Sequence, residues 1–468
     1  MGQHMAAGGT TVEHLQKFLR DLTPAERAKL IGCLERGLLE GGGVPGGALV
    51  LRELRRIFAE DERPARMGNP SRLFFASLEP FLVDDQPTQA HPGRIARTAL
   101  APIWRWLSQD LMPAETKAYE DAANAALLAG DQTGAAKYAR DFQAQFATRL
   151  RAAMATLPDD ERLRWRFFAK ISTPRAVEDV EVLVQIYGAQ DRLDALAAQL
   201  PGHIEQLSDS TLHSVRAAVD NAVKGQPGLF PFALVLVMSR LSAPWQIVRL
   251  AVDAARSDAA ARVAETPYAV AVNITLCEME RLTRELRTQL RGGRAVSVTA
   301  LLKAVHDTAR GLRTELALPV ESPWGKQYGA ARTQIADLLK SELESAPGVV
   351  RRLLRAKPRV EKGKPSDAIA ATLDADEVAH VESLVDVVIA CRAFAGELAI
   401  NELSMRTFLE MRHYLDATVR GLQEAVRHVD GEERAKLRAQ LAVATRLCDK
   451  VFGQEPAPAR GAPERRAS

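Results

Sequence analysis

Apolar residues recur along this chain at steps of three and four, the period that gathers them on one face of an α-helix. Val298, Leu301, Leu302, Val305, Leu312 and Leu316 fall in one stripe on a helical wheel. Phe408, Leu415, Val419, Leu422 and Val426 do the same, with the spacing of a bundle seam or short coiled coil. Val-Ile-Thr runs of the kind that make strands are scarce. The pattern predicts an all-α protein: an irregular, solenoid-like array of helical hairpins followed by a C-terminal antiparallel helical bundle. The most apolar stretch, LFPFALVLVM at 229–238, is ten residues long and contains Pro231. A membrane span needs ~20 residues, so this stretch reads as a helix buried on all sides.

Helix starts are marked by capping chemistry. Thr23-Pro24-Ala25-Glu26 combines an N-cap hydroxyl, a proline at the first helical position and a carboxylate that can reach back to a free N–H. That helix runs through Leu30, Ile31, Leu34 and Leu38 to the glycines at 41–43. Similar starts occur at Met112-Pro113-Ala114-Glu115 and, more loosely, at Pro158-Asp159-Asp160-Glu161, and Ser297 reads as the cap of the 298–316 helix. Their unequal spacing argues for convergent capping, not an internal repeat. Breakers lie at GGGVPGG (41–47), QPTQAHPG (86–93), KGQPGLFP (224–231) and RGGRAV (291–296). The expected organisation is a disordered 1–10, a helical array over 11–223, a central helical domain over 224–346, a basic linker at 347–366, a three-helix bundle over 367–452 and a disordered tail at 453–468.

Two hairpins stand out, one at 122–142 turning at Gly130-Asp131 and one at 182–200 turning near Gly188. The first resembles a tetratricopeptide-type hairpin, with Leu127, Gly130, Ala135 and Tyr138 at the consensus places. The resemblance covers about one unit of roughly 34 residues, with no second copy at that period. Trp104 and Trp106 lie in a helical pattern over 94–111 and read as packing anchors.

Composition agrees with helices: 47% hydrophobic and 26% charged residues over 468 positions, but only 5% aromatics. The 62 basic and 59 acidic side chains leave +3, too little to name a polyanion as partner by charge alone. Cys33, Cys277, Cys391 and Cys448 form no C-x-x-C and fit reduced thiols in the cytoplasm. The first residues show no apolar core of a secretory signal.

There is no P-loop, G-x-S-x-G or H-E-x-x-H. Glu377 with His380 and Glu410 with His413 repeat the Glu-x-x-His of two-metal bundles. Glu410 and His413 point away from the Phe408 seam, while Glu377 lies beside the Val381/Val385/Val388 stripe with His380 at its edge. These read as solvated faces, leaving Glu377 and His380 as the metal candidates, and no cofactor is expected. In the linker, Arg351, Arg352, Arg355, Lys357, Arg359, Lys362 and Lys364 face only Glu361. Such a cluster can dock nucleic acid or an anionic membrane by releasing counterions, though without aromatics for stacking. The leading expectation is a non-catalytic scaffold or adaptor that binds other proteins and self-associates through its C-terminal bundle. The alternative is a polyanion-associated factor using 349–364, and a metal-dependent helical-bundle enzyme ranks third.

Overall fold

The computed structural model describes residues 69–84, 91–156, 161–171, 173, 175–291, 295–354 and 373–453, with a few positions between 18 and 54. The disorder expected for 1–10 and for the tail beyond 453, most of the helix opening at Thr23, and linker residues 355–366 fall outside the described residues. The described chain is mostly helical, with fifteen helices of seven residues or more. It divides into two compact units, Met1–Arg281 with Asp307–Gln327, and Leu282–His306 with Tyr328–Ser468.

The chain runs through α1 (Pro70–Phe75), a 3₁₀ turn (Ala76–Phe81), β1 (Leu82–Val83), β2 (Ile95–Ala96), α2 (Leu100–Trp106), α3 (Pro113–Leu128) and α4 (Gln132–Thr156). It continues with α5 (Glu161–Phe168), α6 (Ala176–Gly188), α7 (Gln190–Gln199), α8 (Asp209–Val223), α9 (Phe230–Met238), α10 (Val248–Ala255) and α11 (Ala260–Ala264). The long helices α12 (Ala269–Arg291), α13 (Ala295–Glu315) and α14 (Pro323–Leu353) follow. Last come α15 (Ala375–Ala393), α16 (Ala395–Leu398), α17 (Asn401–Arg427) and α18 (Gly431–Phe452).

The first unit is organised around α1. Asn69 caps it, its Oδ1 accepting from the Ser71 N–H at 2.9 Å, and Pro70 takes the first helical position. Phe74 is fully buried, with the rings of Phe75, Tyr187, Trp104, Phe142 and Phe146 at centroid distances of 4.9, 5.2, 5.4, 5.4 and 5.7 Å. Buried polar side chains meet the carbonyls of this short helix. Tyr119 donates to Pro70 O at 2.7 Å, and Tyr187 to Phe74 O at 2.8 Å, where the Gln143 amide also donates. Trp104 is thus a packing anchor, and Trp106 packs on Phe167 and Phe168 at 5.6 and 5.7 Å.

Around this centre helices pack in neighbouring pairs: α3 on α4, α4 on α6, α7 on α8, and α8 on α9. The α3–α4 turn sits where expected, with Gly130 at φ +75°. Tyr138 departs from the hairpin consensus, because it is 46% exposed. The aromatic contact between those helices is instead Tyr119 stacked on Phe142 at 4.6 Å. Every residue of α9 except Pro231 is buried, as its uniform hydropathy predicts.

β1 and β2 pair in parallel, Leu82 with Ile95 and Val83 with Ala96. Before β2, His91-Pro92-Gly93-Arg94 makes a turn closed by the Arg94 N–H on His91 O at 3.1 Å. Proline second and glycine third, with Gly93 at φ +69°, is the chemistry of a type II turn. A Cβ at Gly93 would also lie 2.8 Å from Pro231 O, so the glycine lets this turn approach the start of α9. Gly311 plays a different part: a Cβ there would meet the Trp245 indole at 2.1 Å.

Around residue 223, α9 packs on the 3₁₀ turn after α1, with Phe81 and Phe232 6.0 Å apart, and Arg192 donates to Ala222 O and Lys224 O at 3.3 and 2.7 Å. The helix expected to start at Ser297 starts at Ala295.

In the second unit, α17 packs on α18 and α15 packs on both. Ion pairs join Glu382 to Arg446 at 3.0 Å and Asp386 to Lys450 at 2.7 Å. Arg332 on α14 donates to Glu397 O and Gly396 O at 2.8 and 3.0 Å. Pro347, the expected start of the linker, lies inside α14, which continues to Leu353. A proline within a helix removes the N–H that would bond the carbonyl four residues back. That carbonyl, Leu343 O, accepts instead from the Thr407 hydroxyl of α17 at 3.2 Å in a buried site, which lets the helix continue.

Thr407→Val should therefore cost about 1–3 kcal/mol in urea unfolding, the penalty for leaving a buried acceptor unsatisfied. Phe74→Ala, which empties the centre of the ring cluster, should cost about 3–5 kcal/mol in the same measurement.

Candidate functional site

In the first unit a cleft of about 950 Å³ lies beside α1. Its floor is apolar, with Phe75, Phe81, Trp104, Ile186, Leu193 and Leu236 among the lining residues. Alanines 101, 136, 139 and 197 keep the walls low. Among the described residues five cations, Arg72, Arg97, Lys137, Arg140 and Arg240, line it against two carboxylates, Glu79 and Asp194, with no histidine or cysteine.

The cations divide into two sets. Arg97 forms a two-pronged pair with Glu79 at 2.8 and 3.1 Å and reaches Asp84 at 2.9 Å. Burial works against the Arg97 charge, but the bonds and field of Glu79 and Asp84 outweigh it and hold its pKa above the ordinary value. Arg140 is bound by Asp194 and Asp191, and its pKa is likewise raised, first by the Asp194 hydrogen bond. These two side chains brace the walls. Arg72 and Lys137 are exposed and carry no ion pair among the described residues. Among the described residues the Arg240 side chain reaches only the Gly202 carbonyl, at 3.4 Å. The cleft therefore combines an apolar floor with a positive rim.

The sequence-derived site residues lie elsewhere. Glu377 and His380 are both exposed on α15, and Glu410 and His413 are exposed on α17. Glu410 is engaged by Arg351, whose guanidinium also lies 5.7 Å from the Tyr414 ring centre. Arg351 and Arg352 end α14, and Arg355, Lys357, Arg359, Lys362 and Lys364 fall outside the described residues. Among the described residues, the group able to bring three metal donors together is a different one, His91, Cys277 and Glu280 of the first unit. From sequence, His91 falls in a loop and Cys277 reads as a reduced thiol. The available local signal was Cys277-x-x-Glu280, one turn apart on a helix face, and nothing local ties it to the turn at 91.

Shifted ionisable groups do not line the cleft as an acid–base pair. Burial pushes the Cys391 thiol up to about 12, with Glu342 adding to it, so this thiol stays protonated. Burial also raises Tyr119 and Tyr187, both already donating to carbonyls of α1. Asp179, 4% exposed on α6, is raised to about 6, chiefly by burial, with Arg175 opposing and Glu178 adding. No helix among the described residues is long and apolar enough to cross a membrane. No protein-family model, curated protein or solved structure matches the chain.

The Asp179 environment has a pH signature. A carboxyl held at about 6 in the folded state keeps its proton where the unfolded chain, at about 4, has lost it. Asp179 thus favours the fold below pH ~4, and that contribution is lost as pH rises through ~6. Asp179→Asn should leave stability unchanged at pH 4 and raise it by up to about 3 kcal/mol at pH 7.5, read by urea unfolding at both values.

Proposed function

We propose that this chain is a non-catalytic, α-helical protein-interaction scaffold, and that the cleft beside α1 receives an acidic, partly apolar segment of a partner protein. The observation that carries the reading is the pairing of an apolar floor with the uncompensated rim of Arg72, Lys137 and Arg240. The floor favours burial of side chains such as Leu or Phe, and the rim selects carboxylates beside them. Helices packed in neighbouring pairs support the finer description of the first unit as a solenoid-like array, an architecture suited to holding extended segments along one face. In the second unit, the packing of α15, α17 and α18 supports an antiparallel C-terminal bundle.

Peptides selected for binding to the full-length protein should be enriched in acidic residues flanking an apolar anchor. Reversing the rim with Arg72→Glu, Lys137→Glu and Arg240→Glu together should weaken such a peptide at least tenfold, about 1.4 kcal/mol, with the helical circular dichroism unchanged. Binding should persist as salt is raised from 50 to 200 mM, because the floor contributes independently of charge. Equal binding by the reversed variant would overturn the proposal. Steep loss with salt, together with binding of nucleic acid of any sequence, would overturn it in favour of a polyanion-binding protein.

A further inference from the structure

We infer that His91, Cys277 and Glu280 form a binding site for a divalent transition-metal ion of the zinc type. The reasoning begins with how the chain brings them together. Cys277 and Glu280 are three residues apart on α12, so both project from one face. His91 opens the type II turn described above and is 5% exposed. Gly93 allows that turn to sit closely against the start of α9, which fixes where the imidazole stands. One donor atom from each of the three lies within 4.8 Å of the other two.

The donor set matches the ion. Thiolate sulfur, imidazole nitrogen and carboxylate oxygen are the three ligand types zinc takes. Around a tetrahedral zinc, donors held at 2.0–2.3 Å from the metal stand roughly 3.3–3.8 Å apart, so closing on the ion needs side-chain movements of about 1 Å. A neutral imidazole, a thiolate and a carboxylate together carry two negative charges, which balance a divalent cation. Binding displaces the Cys277 thiol proton to solvent, and water completes the coordination. A hard ion such as magnesium is disfavoured by the sulfur and by the shortage of oxygen donors.

The surroundings fit too. Gln327 donates from Nε2 to Glu280 Oε1 at 2.9 Å, the kind of outer contact that orients a ligating carboxylate. Two arginines stand nearby, and both are engaged. Arg281 pairs with Glu278 through bonds of 2.9 and 2.7 Å. Arg94, half-buried, donates to Pro80 O at 2.9 Å and feels the Glu278 carboxylate. A bound ion would tie the 91–94 turn to α12, two segments far apart in sequence.

The test uses the full-length protein stripped with a chelator and titrated with Co²⁺, then Zn²⁺. One equivalent of Co²⁺ should produce a sulfur-to-cobalt charge-transfer band, and one of Zn²⁺ should abolish it and raise the unfolding temperature. Cys277→Ser should lose the band, whereas Cys448→Ser should keep it. Gln327→Ala should weaken Zn²⁺ binding about 10–100-fold with unchanged helical circular dichroism, as expected for loss of a ligand-orienting contact. Should Cys277→Ser fail to fold, the near-isosteric Glu280→Gln decides, with at least a tenfold loss of affinity expected. Absence of the band, its survival in folded Cys277→Ser, or unchanged affinity in Glu280→Gln overturns the inference.

Discussion

A helix of six residues has little stability of its own, because most of its backbone groups have no partner within it. In α1 that deficit is met by side chains from three other helices and a proline-started N-terminus. Tyr119, Tyr187 and Gln143 each bring a donor to a carbonyl of α1 inside the protein, where an unmet carbonyl costs most. Each of these side chains is buried, so each depends on the others being in place. Tyr187 also packs its ring on Phe74, together with Phe142 and Phe146, in a chain with only 5% aromatics. α3, α4 and α6 are thereby held at one centre, and the cleft opens from its edge. The cleft and its positive rim thus rest on this buried polar network.

Much of the helical framework was legible beforehand because it follows from local rules. The start at Met112-Pro113, the turn at Gly130 and the buried character of the 229–238 run need only capping, backbone freedom and hydropathy. Sites are another matter, since they join residues that the sequence keeps apart. Glu377-x-x-His380 looked chemical because its members are close in the chain, but its helix turns both to solvent. His91 and Cys277 looked inert because nothing in their own neighbourhoods points toward the other. The cleft was illegible for the same reason: Arg72, Lys137 and Arg240 come from three elements whose proximity is a property of packing.

Pro347 shows how a sound local rule can be overridden. Proline, glycine and a run of cations argue for a break, and on local grounds the argument is correct. The helix persists because a threonine sixty residues later in the chain serves the carbonyl that proline leaves open. A long-range hydrogen bond thus replaces a local one at equal count, and a reading confined to a window of neighbours has no access to it.

The two ion pairs joining α15 to α18 are partly exposed and contribute little to stability on their own. Their partners, however, share one offset: each lies 64 positions from its mate. Sliding one helix along the other by a single residue shifts the axis by about 1.5 Å and rotates every side chain by about 100°. Neither carboxylate would then find its cation, and both mismatches would arise together. The pairs act as a vernier, a weak scale that singles out one alignment among many equally greasy ones.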